Sequence, residues 1–241
     1  MKCRWHHLPI LLVFHFTIPI CQGQSDKRTD FQTWTDFTIT YHQSEKLSLG
    51  GDFGTRGLFS HHNWSQLYIR PTVHYTFSPV FKISGGIGSF NTFNKTVSNS
   101  YEFRLFQDYQ IAWPTFKGLS ISHRFRFEQR FFFYQNIDND FSIRGRYLIG
   151  LKTRTFKLLG KERRYYINGM WEGFVPLGES APELFINNQR LYAAMGYRLS
   201  PTWHFEVYYI WQKSRFFIDE GFQTQEDILR LRVFHVLNSN N

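Results

Sequence analysis

Residues 122–135 read SHRFRFEQRFFFYQ. Arg124, Arg126, Glu128 and Arg130 alternate with Phe125, Phe127, Gln129 and Phe131. A helix scatters such a pattern around its axis, because its period is 3.6. A strand, with a period of two, puts every charge on one face and nearly every ring on the other. Whatever fold contains this segment must supply an apolar medium for the rings. It must also give the charges partners or water on the opposite side.

The pattern recurs along the chain. In YEFRLFQDYQIAW, Tyr101, Phe103, Leu105, Tyr109, Ile111 and Trp113 oppose Glu102, Arg104 and Asp108. FSIRGRYLIGLK sets Phe141, Ile143, Tyr147, Ile149 and Leu151 against Arg144, Arg146 and Lys152. RRYYINGMWEGFV opposes Tyr165, Ile167, Trp171 and Val175 to Arg164, Asn168 and Glu172. TWHFEVYYIWQ and DILRLRVFHVL repeat the arrangement with Glu206, Arg230 and Arg232 on the polar side. Less charged strands are predicted over 34–42, 46–56, 65–77, 80–90 and 187–199. These segments exceed the 5–6 residues of an ordinary globular strand and match the 9–11 that a tilted strand needs to cross a bilayer.

The joints point the same way. Short ones at 42–46, 78–79, 114–118 and 200–201 alternate with longer polar ones at 57–64, 91–99, 134–140, 176–186 and 214–226, a habit of outer-membrane barrels. The joint 155–163 breaks the rule by its length. Pro71, Gly85, Gly86 and Gly88 fall inside strands, where they predict kinks or bulges. Aromatic residues make up 20% of the chain, with 27 Phe, yet no window reaches the run of about 18 apolar residues that a spanning helix requires. Lipid leaves no backbone group unpaired, so the fold class is an all-β, closed antiparallel transmembrane barrel with a polar, charged lumen. Bacterial single-chain barrels have even strand numbers. That rule raises the eleven candidates to about twelve, with 24–33 as an extra strand or plug; ten is the next reading. Trp34, Trp64, Trp113, Trp171, Trp203 and Trp211 fall near strand ends or joints, where a membrane favours interfacial rings.

The N-terminus is a separate unit. MKCRWHH is basic, LPILLVFHFTIPI is apolar and CQGQ offers small residues for cleavage, so 1–23 reads as a secretory signal peptide and 34–238 as the barrel. Cys3 and Cys21 both lie in the signal, which leaves the mature chain without thiol chemistry. Losing Lys2 and Arg4 leaves 26 basic against 19 acidic residues, a formal charge of +7. Net charge alone does not select among anionic partners.

The run from WTDFTITY through RFRFEQRFF, RGRY, MWEGF, NNQRLYAAMGYRL and LRLRVFHVL resembles the domain of unknown function 2490 family over residues 31–238. The resemblance implies a barrel of the Bacteroidetes outer-membrane type, without an assigned activity. The expected partners of such a barrel are outer-membrane lipid and the barrel-assembly machinery. The chain ends in HVLNSNN instead of a terminal aromatic, and Phe234 stands closest to that assembly signal.

The inward face is where chemistry would reside. It is expected to hold Arg104, Asp108, Arg124, Arg126, Glu128, Arg130, Arg144, Arg146, Arg164, Glu172, Arg190, Glu206, Arg230 and Arg232, with Glu102, Lys152 and Arg198 beside them. Buried charges must be paired or solvated, so the first expectation is an ion-pair network packing the lumen of a structural barrel. The basic excess also allows weak anion conduction or binding.

The alternative is a lipid-modifying hydrolase of the phospholipase or lipid A deacylase type. Ser122 and His123 are adjacent and must point to opposite faces, which leaves His61, His62, Asn63 and Ser65 as a loop cluster. His42, His61, His62, His74, His204 and His235 lack metal-ligand spacing. GGIGSF at 85–90 lacks the helix that a phosphate cradle needs. No segment calls for a cofactor, a metal or nucleic acid.

Overall fold

The computed structural model describes residues 29–58, 64–95, 98–135, 138–158, 162, 164–177, 186–215 and 223–237. Residues 1–23, expected to be a signal peptide, residues 24–28, the loop histidines His61 and His62 with Asn63, and the C-terminal tail lie outside the described residues. The strands are β1 (Thr29–His42), β2 (Leu47–Leu58), β3 (Trp64–Thr76), β4 (Phe81–Asn94), β5 (Ser100–Ala112) and β6 (Leu119–Tyr134). They continue as β7 (Asp140–Thr153), β8 (Tyr165–Pro176), β9 (Ile186–Arg198), β10 (Trp203–Arg215) and β11 (Gln223–Leu237). Each strand pairs with its sequence neighbours, and β1 closes on β11 to make a barrel.

Closure corrects the strand count. The barrel has eleven strands, not twelve, and it is mixed rather than wholly antiparallel, because β1 and β11 run parallel from Thr29↔Gln225 to Tyr41↔Leu237. An odd number of strands joined up and down must bring its first and last strands together in the same direction. Residues 29–33, expected in an extra strand or plug, are the first residues of β1. The polar sequences TDFQT and QTQE conceal these ends, and the β1–β11 ladder extends both strands into them.

Antiparallel partners share one parity around the barrel, as in Thr35↔Thr55, Ile69↔Ser89, Phe103↔Phe131 and Trp171↔Leu191. Even-numbered strand residues therefore point inward. The buried set runs from Gln32, Trp34 and Asp36 through Glu128 and Glu172 to Glu226 and Ile228. Exposed large apolar residues occur on every strand and have odd numbers there, among them Leu49, Ile69, Phe93, Phe127, Phe141, Val207 and Leu231. One shift interrupts the β9–β10 register, at Lys213/Ser214.

The glycines of β4 are not bulges, since the β3–β4 register is the same on both sides of them. Gly86 instead gives room to the Phe106 ring, which a β-carbon there would strike, and Gly196 does the same for Tyr166. Large rings can thus lie flat against the inner wall. One rim carries the connections 43–46, 77–80, 113–118, 154–164 and 199–202 and the end of β11; the other carries 59–63, 95–99, 135–139, 177–185 and 216–222 and the start of β1. The second set is shorter than expected because β4, β6, β10 and β11 reach into it.

Candidate functional site: the charged lumen

Two layers of chemistry fill the lumen. Across β5 to β9 runs an arginine–carboxylate network. Glu102 binds Arg130 (2.8 Å) and Arg104 (2.6 Å), and Arg104 continues to Glu128 at 3.2 Å. Glu128 is fully buried and also meets Arg144 (2.7 Å), Arg146 (2.8 Å) and, at 3.8 Å, Arg126. Arg146 bridges to Glu172 at 2.7 Å. Glu172, likewise fully buried, takes Arg124 at 2.8 Å, the Tyr192 hydroxyl at 2.6 Å and Arg190 at 3.9 Å. Asp108 accepts two bonds from Arg126, at 2.5 and 2.6 Å. Planar guanidinium groups suit this, since each can hold two carboxylates at fixed angles.

Across β1, β2, β3, β10 and β11 the pairs are more separate. Asp36 joins Arg230 (2.6 Å) and Arg232 (2.8 Å), Asp52 joins Arg70, and Glu226 accepts from Gln212. Glu206 is held by the hydroxyls of Tyr166 (2.8 Å) and Tyr208, with Lys152 at 3.9 Å. Beside these lies a small apolar core of Trp34, Tyr192, Ala194, Tyr208, Ile210 and Ile228.

Rings fill the space between charges. Arg104 stacks 4.2 Å from the Phe90 centroid, Arg126 4.5 Å from Phe106, Arg130 4.6 Å from Phe132 and Arg232 4.4 Å from Phe234. Phe174 receives Arg144, Arg146 and Arg190. Such cation–π contacts, worth about 2 kcal/mol when desolvated, replace part of the hydration that the cations lose.

Several expected positions need correction. Arg164 precedes β8 at the rim, where it pairs with its neighbour Glu162 and donates to the Leu199 carbonyl (2.9 Å) instead of entering the lumenal network. Trp34 is not interfacial: β1 starts five residues earlier than expected, and its even parity buries the ring in the lumen. Trp64 also has inward parity and is half-buried at the start of β3. Trp171 faces outward from the middle of β8, not from its end. Trp113 faces outward beyond the end of β5, Trp203 stacks on the outward-facing His235 at the start of β10, and Trp211 faces outward near that strand's other end.

Asp36, Asp52, Arg56, Arg70 and Glu226 are further lumenal charges that the sequence reading does not include. Alternation with Phe37, Phe53 and Ile69 is the available signal for Asp36, Asp52 and Arg70; Arg56, between Thr55 and Gly57, and Glu226, beside Asp227, carry none.

The residues for a hydrolase do not assemble among the described residues. His123 bonds the Tyr147 hydroxyl at 2.7 Å on the outer face, and Ser122 points inward beside Gly150. His74 does meet Ser84 at 2.7 Å, but Ser84 is 2% exposed and closed to any substrate, and Asp108 beside it is held by Arg126. His42 bonds Ser48 at the rim with no carboxylate partner on either residue among the described residues. Among those residues no cluster of three or more His, Cys, Asp or Glu is placed to hold a metal.

No curated protein matches the sequence. A family model described as a protein of unknown function, DUF2490, matches residues 31–221, which takes in β1 through β10 and most of the lumenal charges. With the match covering most of the chain, this eleven-stranded barrel belongs to the DUF2490 family.

Proposed function

We propose that the protein is an integral barrel of a Gram-negative outer membrane, exported by its signal peptide and inserted by the barrel-assembly machinery. Its role in this reading is structural, with a lumen filled by the arginine–carboxylate network instead of an open channel. The observation that carries the membrane assignment is the outer surface. Exposed apolar side chains stand on all eleven strands, while the described strand charges point inward except Lys213 and Asp227, near the loop ends of β10 and β11. A soluble ligand-binding barrel reverses that arrangement. Continuous apolar surface on this scale exceeds the few hundred Å² usual for a soluble monomer.

Packing supports the filled lumen. Glu128, Glu172, Tyr166, Ile210 and Ile228 reach 0% exposure, and they come from β6, β8, β10 and β11. A lumen that admitted water along its length would leave such groups wet. Refolded protein in planar bilayers is therefore expected to give no stable conductance steps. A persistent ohmic conductance would overturn the filled lumen.

A further inference from the structure

Arg56 breaks the rule of paired lumenal charges. Each of the other described arginines that is buried or half-buried in the lumen has a carboxylate within 4.0 Å; Arg56 has none among the described residues. Its single hydrogen bond among the described residues goes to the Gln66 carbonyl oxygen at 3.3 Å, and its Nε is buried without a partner. The guanidinium is nevertheless held firmly. It lies 4.3 Å from the Trp34 ring centroid, 4.6 Å from Tyr68 and 5.9 Å from Phe90.

Two more guanidinium groups approach the same Trp34 ring, Arg190 at 5.2 Å and Arg230 at 5.7 Å. Arg230 is committed to Asp36, and Asp36 is shared with Arg232. Arg190 binds Gln212 and touches Glu172 only at 3.9 Å. The donors around Arg56 are directed elsewhere: Trp34 Nε1 to Gln32, the Tyr68 hydroxyl to Asp52 at 3.4 Å and Gln66 Nε2 to Thr92. Positive charge therefore accumulates around one ring, with most of the N–H donors of Arg56 unspent.

We propose that this cluster binds a small oxyanion, a carboxylate or phosphate group, on the guanidinium of Arg56. Desolvating an unpaired guanidinium is costly, and its fork of donors matches two oxygens of one anion. Stacking on Trp34 and Tyr68 presets the plane of that fork, as in other arginine sites that read oxyanions. Arg56 is half-buried and two residues from the end of β2, so the anion enters from the rim bearing the connection 59–63. The site rests on the charged-lumen reading and not on the absence of conduction.

The test uses the mature barrel refolded in an uncharged maltoside detergent and titrated with inorganic phosphate or acetate at constant ionic strength set by chloride. Wild type is expected to show a saturable rise in its thermal midpoint. Arg56→Met should weaken the phosphate response at least tenfold, and Arg56→Lys, which keeps the charge and loses the fork, should weaken it as well. Arg198→Met, which removes an exposed arginine at the other rim, should leave it unchanged. Without anion, Arg56→Met is expected to unfold no earlier than wild type, because it removes an unpaired charge. A response from anionic-lipid-doped micelles, lost in Arg56→Met, would identify a headgroup as the source; a response to phosphate alone would identify a free solute. No saturable response in wild type, or an equal one in Arg56→Met, would overturn the site. A barrel that conducts in bilayers yet loses its phosphate response with Arg56→Met would refute the filled lumen and retain the site.

Discussion

Truncating Glu128 to Ala is expected to cost about 3–5 kcal/mol of barrel stability, the range for removing one partner from a buried ion pair. Glu128 has no solvent exposure and neutralises Arg104, Arg144 and Arg146 at 2.7–3.2 Å. Its loss leaves those guanidinium groups facing one another in a narrow lumen. Glu172→Ala should behave alike, because Arg124, Arg146 and the Tyr192 hydroxyl converge on that carboxylate. Glu45, exposed in the 43–46 connection, provides the comparison, and its truncation should fall within about 0.5 kcal/mol of wild type. Urea unfolding of the refolded barrel measures all three. If the buried variants unfold like wild type, the lumen is wet and wide, and the packed network is wrong.

Placing a charge on the other face should fail for the opposite reason. Phe127 lies at the middle of β6, between Gln107 and Gly145, and is 43% exposed on the outer surface. Phe127→Arg is expected to cost about 2–4 kcal/mol, the penalty for a basic side chain near the bilayer midplane. The adjacent Arg126→Lys keeps a cation beside Asp108 and should insert as wild type does. The fraction protected from protease after insertion into lipid vesicles distinguishes them. Normal insertion of Phe127→Arg together with failure of Arg126→Lys would reverse the inside–outside assignment.

The strands were legible because each alternates with a period of two over more residues than chance sustains. All eleven appear in the sequence at about their final positions. The twelfth came from a rule about even strand numbers, not from any residues, and the parallel β1–β11 closure removes the need for it. The boundary of β1 was unreadable because TDFQT has too few apolar residues to announce a strand; its partners across the closure, 196 positions away in the chain, order it. The same boundary error made Trp34 look interfacial, although it shares its parity with Asp36.

Which acid meets which base was not legible. Arg104 and Glu128 are 24 residues apart, Arg124 and Glu172 48, and Asp36 and Arg230 194. Such pairs depend on register around a closed sheet, and local sequence does not encode that. The lumenal rings were obscured too, since Phe106, Phe132 and Phe174 belong by composition to the apolar set. Only their even parity, and the glycines opposite rings such as Phe106 and Tyr166, mark them as inward.

The central claim is a closed barrel in a membrane, and the electrophoretic migration of unheated against boiled protein from fractionated cells tests it most directly. A closed ladder with no free edge resists detergent, so the unheated sample should migrate as a compact species and the boiled one at its full mass, both from the outer-membrane fraction. Recovery in the soluble periplasmic fraction, with the same migration before and after boiling, would contradict the account.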